Sequence, residues 1–113
     1  MSDDCIFCKI ISKQINAAII YEDNQVLAFD DVNPQAPVHI LFIPKVHITS
    51  VAELKDMSVM KDLFAVMKKV AEEKGIDKTG YRIVVNHGKD SGQAVPHLHF
   101  HLLGGRPLLW PPG

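Results

Sequence analysis

The spacing of apolar residues switches between two periods along the chain, and the switches mark out its elements. AAIIYED and QVLAFDD are apolar-rich runs separated by the polar turn EDNQ, which predicts a hairpin. NPQAP breaks the chain, VHILFIP predicts a third strand, and Pro44 ends it. From about Ser58 the period lengthens. Met60, Leu63, Phe64, Met67, Val70 and Ala71 recur at three- and four-residue steps, predicting one amphipathic helix. Asp56 or Ser58 is placed to cap its start and Gly75 to stop it, and its methionines read as core filler. YRIVVN predicts a fourth strand, HGKDSGQAVP a polar loop, and HLHFHLL a fifth strand before the proline-rich RPLLWPPG. Near the start, IFCKIIS predicts a short helical turn.

Five strands with hairpin-length links and one long helix predict an α+β fold with an antiparallel sheet. The strand–helix alternation of a parallel sheet is missing. No repeat, low-complexity tract or linker interrupts residues 1–113, which read as one domain.

Composition narrows the function classes. At 113 residues the chain is long enough to bury a core without staples, and its 47% hydrophobic and 22% charged residues are ordinary soluble values. A net charge of −1 provides no basic field, so nucleic acid is not an expected partner. No apolar run approaches the ~20 residues that span a bilayer, so no membrane partner is expected either. MSDDCIF opens with acids and lacks the basic and apolar regions of a signal peptide, which predicts a cytoplasmic protein.

The two cysteines, Cys5 and Cys8, form a single CxxC. In a reducing compartment this spacing points to zinc or a redox dithiol. A redox motif should follow a strand, and four residues before Cys5 leave no room for one, so zinc is favoured. Two inert buried thiols are the bland alternative.

PHLHFHLL concentrates half of the six histidines in one segment. Side chains two apart on a strand share a face, about 6.6–6.8 Å apart. His97, His99 and His101 therefore face one way and Leu98, Phe100 and Leu102 the other, toward the core. The histidine face should line a cleft, because unpaired buried imidazoles are costly. One metal cannot take both His97 and His101, about 13 Å apart along an extended strand. At least one histidine is then available as nucleophile, base or phosphate ligand, which suits phosphoryl or nucleotidyl transfer. Gly88 and Gly92 in the preceding loop would let the backbone present N–H groups to an anion.

HLHFHLL resembles the H-x-H-x-H-x-x signature of the histidine triad (HIT) superfamily. CIFCKII, LAFDDVNPQAPVHILFIPKVH, YRIVVN, GQAVPHLHFHLLGG and WPPG extend the resemblance, specifically to its Hint branch, over nearly the whole chain. The resemblance implies hydrolysis of purine nucleoside phosphoramidates, with AMP- or GMP-type ligands, by a homodimer whose two five-stranded sheets join. It implies His99 as the nucleophile, the main-chain carbonyl of His97 as the group fixing its tautomer, His101 as a hydrogen-bond partner of the phosphate oxygens, and His39 on the third strand as the residue completing the histidine cluster. Asn86 and the backbone around Gly92, Ala94 and Val95 would cradle the phosphate. Asp31 would accept from the ribose hydroxyls, Ile6, Phe7, Phe29 and Val32 would hold the base, and Trp110 would reach the partner subunit's leaving group. Read without the family, those apolar residues are simply core.

Ala94 stands where many relatives carry serine, threonine or glutamate, which removes a hydroxyl from the phosphate; His87 in the same loop is a candidate substitute. The resemblance also gives the CxxC partners: Cys5, Cys8, His47 and His97 form a closed Cys2His2 set for structural zinc, with no metal required for the chemistry. Rival functions are a dinucleoside polyphosphate hydrolase of Fhit type and a non-catalytic nucleotide-binding or scaffold protein. A third, a metal-dependent oxygenase, would need a carboxylate ligand, for which Asp90 is nearest in sequence.

Overall fold

The structure is a computed structural model that describes residues 4–113. Met1 to Asp3, part of the acidic opening considered above, lie outside the described residues. Its elements in chain order are α1 (Ile6–Ile11), β1 (Ile19–Glu22), β2 (Val26–Asp30), β3 (Val38–Pro44), α2 (Ser58–Glu73), β4 (Tyr81–Val85) and β5 (Phe100–Gly104), with short 3-10 turns at Val51–Glu53 and Lys89–Ser91. The strands form one antiparallel sheet in the order β1-β2-β3-β5-β4. Among the described residues no helix is long and apolar enough to cross a membrane.

Local chemistry explains the turns. The Asp23 carboxylate accepts from the N–H groups of Gln25 (2.7 Å) and Val26 (2.8 Å), closing the hairpin between β1 and β2. At the start of α2 the residue in the cap position is Met57, not Asp56 or Ser58. The Asp56 carboxylate still accepts the Ser58 N–H at 3.0 Å, so the orphan donor is satisfied one residue earlier than expected. Gly75 follows the helix at φ +75°, as its placement predicted.

Alternation along the strands splits the core into two layers. Val26, Ala28, Ile40, Phe42, Leu98, Phe100 and Leu102 pack against Leu63, Val66, Met67, Val70 and Ala71 of α2. Leu27, Phe29, Leu41 and Ile43 pack on the other face against Phe7, Cys8 and Ile10 of α1. Phe64, assigned to the buried stripe from its spacing, sits at the rim, 44% exposed and edge-on to Phe100; Val66 takes the buried place. Phe7 of α1 stands against the rings of His97 and His99, so the short helix covers these histidines while the long helix supports the sheet from behind.

The fifth strand begins later than HLHFHLL implied. β5 pairs with β3 and β4 only from Phe100 onward. His97 and His99 precede the ladder, and the Leu98 N–H donates instead to Ile48 O at 2.6 Å. At the strand's far end, a Cβ on Gly104 would stand 2.9 Å from Ile76 Cδ1 and 3.1 Å from Ile76 Cβ, and Ile76 is buried. Gly104→Ala should therefore destabilise the fold by about 1–3 kcal/mol, read as a lower urea midpoint at unchanged slope.

Candidate active site and metal centre

Hydrogen-bond partners assign the histidine tautomers. The Gln35 N–H donates to His39 Nδ1 at 3.0 Å, so a neutral His39 carries its proton on Nε2. That nitrogen lies 2.9 Å from His101 Nδ1 and 3.4 Å from an Asp31 oxygen. It donates to His101 Nδ1, which places the His101 proton on Nε2. The His99 Nδ1–H donates to the carbonyl of His97 at 2.7 Å, leaving Nε2 of His99 with an open lone pair. The His99 and His101 rings are 5.2 Å apart between centroids. A nitrogen with an open lone pair and an N–H donor thus stand side by side, the first set by the His97 carbonyl and the second by the His39 ring, which the Gln35 N–H orients.

Asp31 joins the cluster, whereas Asp90, the carboxylate nearest in sequence, lies on an exposed 3-10 turn away from it. Phe7 and Phe29 form an edge-to-face pair at 5.5 Å, and Phe7 also stands edge-on to His99 at 5.1 Å. Both are buried in the second core layer, while Ile6 is 46% and Val32 99% exposed. These four residues are therefore part core and part open surface.

The loop before β5 differs from the expected glycine cradle. The Gly88 N–H donates to Gln93 Oε1 and the Gly92 N–H to Lys89 O, both at 3.0 Å, so neither is open to an anion. The N–H groups of Ala94 and Val95 carry no partner among the described residues. Gln93, to which the sequence reading gave no role, ties the loop down; its Nε2 donates to Thr49 O at 2.9 Å and Val95 O at 3.1 Å. A polar residue directly after a loop glycine was the only available signal. His87 is held by Ser50 Oγ at 2.7 Å. Asn86 lines a cleft of about 420 Å³ with Gln35, Arg82, Val84 and Leu103. Trp110 is 80% exposed, with the Arg82 guanidinium 6.0 Å above its ring.

His97 does not line the cleft: it is fully buried, against the expectation from the alternating pattern. The burial is tolerated because the ring has partners at both nitrogens. Its Nε2–H donates to Pro44 O at 3.0 Å, which turns the Nδ1 lone pair toward Cys5 Sγ (3.3 Å), Cys8 Sγ (3.7 Å) and His47 Nδ1 (3.1 Å). Cys8 Sγ is 3.3 Å from His47 Nδ1. All four donor atoms lie within 4.8 Å of one another. Tetrahedral zinc with ordinary bond lengths places sulfur and nitrogen ligands about 3.3–3.8 Å apart. The donor set and its spacing fit zinc.

Burial pushes His97 and His101 down to about 4, helped in each case by neighbouring imidazoles; for His97 the Pro44 bond opposes the shift, and for His101 Asp31 does. Above pH 6.5 both are neutral folded or unfolded. Below it the unfolded chain takes up protons that the folded chain refuses, so stability falls as pH drops from 6.5 toward 4. Urea unfolding of metal-free protein should show that loss and a flat region just above pH 7; stability rising on acidification would contradict it.

An antiparallel α+β domain with histidines gathered over one sheet face defines the class of protein. A profile of the HIT domain matches residues 12–108, and the chain belongs to the HIT family. An uncharacterized HIT-like protein of Synechocystis is 51% identical over 115 residues, covering all of both chains. A 14 kDa zinc-binding protein of Brassica juncea is 49% identical, over 97% of this chain and 100% of its own. A HIT family hydrolase from Legionella pneumophila superposes with a TM-score of 0.95 at 44% identity, covering 97% of this chain and all of that one. A histidine triad nucleotide-binding protein from Candida albicans superposes at 0.84 with 32% identity, over 96% of this chain and 83% of that one.

Proposed function

We propose that this protein is a purine nucleoside phosphoramidate hydrolase of the Hint branch, acting through a nucleotidyl-histidine on His99. The observation that carries the reading is the 2.7 Å bond from His99 Nδ1–H to the His97 carbonyl, which leaves Nε2 as a nucleophile. Nε2 attacks the α-phosphorus, the P–N bond breaks, and the leaving amine takes its proton from solvent. Water then attacks the same phosphorus, returns a proton, and releases the nucleoside 5′-monophosphate and free His99. His101 Nε2–H donates to a phosphate oxygen, its tautomer held by His39. The N–H groups of Ala94 and Val95 face the developing charge together with Asn86. Asp31 accepts from the ribose, and Ile6, Phe7, Phe29 and Val32 flank the base.

Cys5, Cys8, His47 and His97 would hold zinc, which supplies a fastening between α1 and the approach to β5 and takes no part in bond making. The working form is a cytoplasmic homodimer. β4 is an edge strand with Tyr81 and Val85 part-exposed, which supports continuation of the sheet into a second copy, where Trp110 meets the leaving group.

A panel of adenosine 5′-phosphoramidate, diadenosine polyphosphates and AMP tests the reading. Release of AMP from the phosphoramidate is expected. Faster cleavage of the polyphosphates would favour the Fhit-type activity, and AMP binding without turnover would favour a non-catalytic nucleotide-binding protein. Ala94→Ser should raise kcat by about tenfold, by one added hydrogen bond of ~1–2 kcal/mol to phosphate or leaving amine. An unchanged kcat would remove Ala94 from the account of rate.

A further inference from the structure

We infer that the Cys2His2 centre acts on the reacting histidine, with His97 as the positioning residue that transmits its hold to His99. This rests on the hydrolase and zinc readings above and goes beyond both. A fastening for the N-terminus alone would not need to engage the one residue whose carbonyl orients the nucleophile. His97 is clamped at both ring nitrogens, by Pro44 O at 3.0 Å and by the sulfur and nitrogen donors facing Nδ1. A ring fixed at both edges restrains its own backbone through the short Cβ link, and that backbone carbonyl accepts from His99 Nδ1–H.

No ladder bond of the sheet does this work, since β5 pairs only from Phe100 onward. The segment is held otherwise by His97 N–H to Val95 O at 2.9 Å and by Leu98 N–H to Ile48 O. A second link runs through α1, where Phe7, beside Cys8 in sequence, stands edge-on to His97 at 5.8 Å and His99 at 5.1 Å. The ligands and the nucleophile form one mechanical unit. Without a metal, thiol groups are weak hydrogen-bond partners, and the Nδ1 side of the clamp loosens.

The test strips the purified protein of metal, reloads it with zinc, and measures kcat and KM for adenosine 5′-phosphoramidate. The His99 ring is followed in parallel by 15N-edited NMR. Folded, metal-free protein should show kcat lower by about ten- to a hundredfold with KM nearly unchanged, the cost of a misplaced reacting group. Its His99 Nδ1–H signal, sharp when loaded, should be lost to exchange. Cys8→Ser should reproduce the stripped state, and Cys8→His, which keeps a fourth ligand, should restore both readouts. An unchanged His99 signal on stripping overturns the inference whether or not kcat moves, as does failure to take up metal. Absence of turnover in every state refutes the hydrolase reading instead, and the His99 signal then decides the coupling by itself.

Discussion

His99→Ala should lower turnover of adenosine 5′-phosphoramidate by about 10⁴- to 10⁶-fold, the scale on which an enzyme loses its nucleophile. The expectation follows from one lone pair. His99 is the histidine whose Nδ1–H is held by a main-chain carbonyl while Nε2 carries no partner among the described residues. His39 offers no comparable nitrogen, because its Nδ1 accepts from Gln35 and its Nε2 donates to His101. AMP affinity should survive the change, since the Ala94 and Val95 N–H groups and His101, the proposed phosphate donors, are left in place. Retained AMP binding separates lost chemistry from a collapsed site. A variant with near-normal turnover would show that another group attacks phosphorus.

Cys8→Ser should abolish zinc binding that otherwise approaches one ion per chain, and with it about 3–4 kcal/mol of stability at zinc concentrations about 100–1,000 times Kd. Serine is a poor zinc ligand at neutral pH, and three remaining donors leave the buried site open. The second core layer should loosen most, because Cys8 lies in α1 and Cys5 caps its start, and this helix covers Leu27, Phe29, Leu41 and Ile43. The layer under α2 contains none of the ligands, so the variant should still fold. Metal analysis and urea unfolding read both effects. Wild-type protein that folds equally well without metal would count against a structural zinc.

Most of the sheet and α2 were legible because their apolar periods are long and each alternation or three-to-four step meets a real layer. The start of β5 was not. The alternation of His97, Leu98 and His99 reports which way side chains point, and it continues through residues whose backbone bonds elsewhere, as Leu98 does to Ile48. The histidine pair His39–His101 and the Cys2His2 set were placed by family resemblance, since residues as far apart as Cys5 and His97 leave no trace of contact in local spacing. The tautomers were beyond reach for another reason: they depend on the Gln35 N–H and the carbonyls of Pro44 and His97, main-chain groups that carry no residue-specific signal. For the same reason Gly88 and Gly92 looked like anion donors, although Gln93 Oε1 and Lys89 O already occupy their N–H groups. Asp90 was named as the carboxylate a metal-dependent oxygenase would need only because it is nearest in sequence, whereas Asp31, read as a ribose acceptor, is the one that lies with His39 and His101.

The most direct test of the central claim is to trap the covalent intermediate. Protein mixed with adenosine 5′-phosphoramidate, quenched within one turnover and digested, should yield a single adenylylated peptide carrying the modification on His99, and none from His99→Ala. An adduct on His101 or His39, or full turnover with direct attack of water and no adduct at any quench time, would contradict the account.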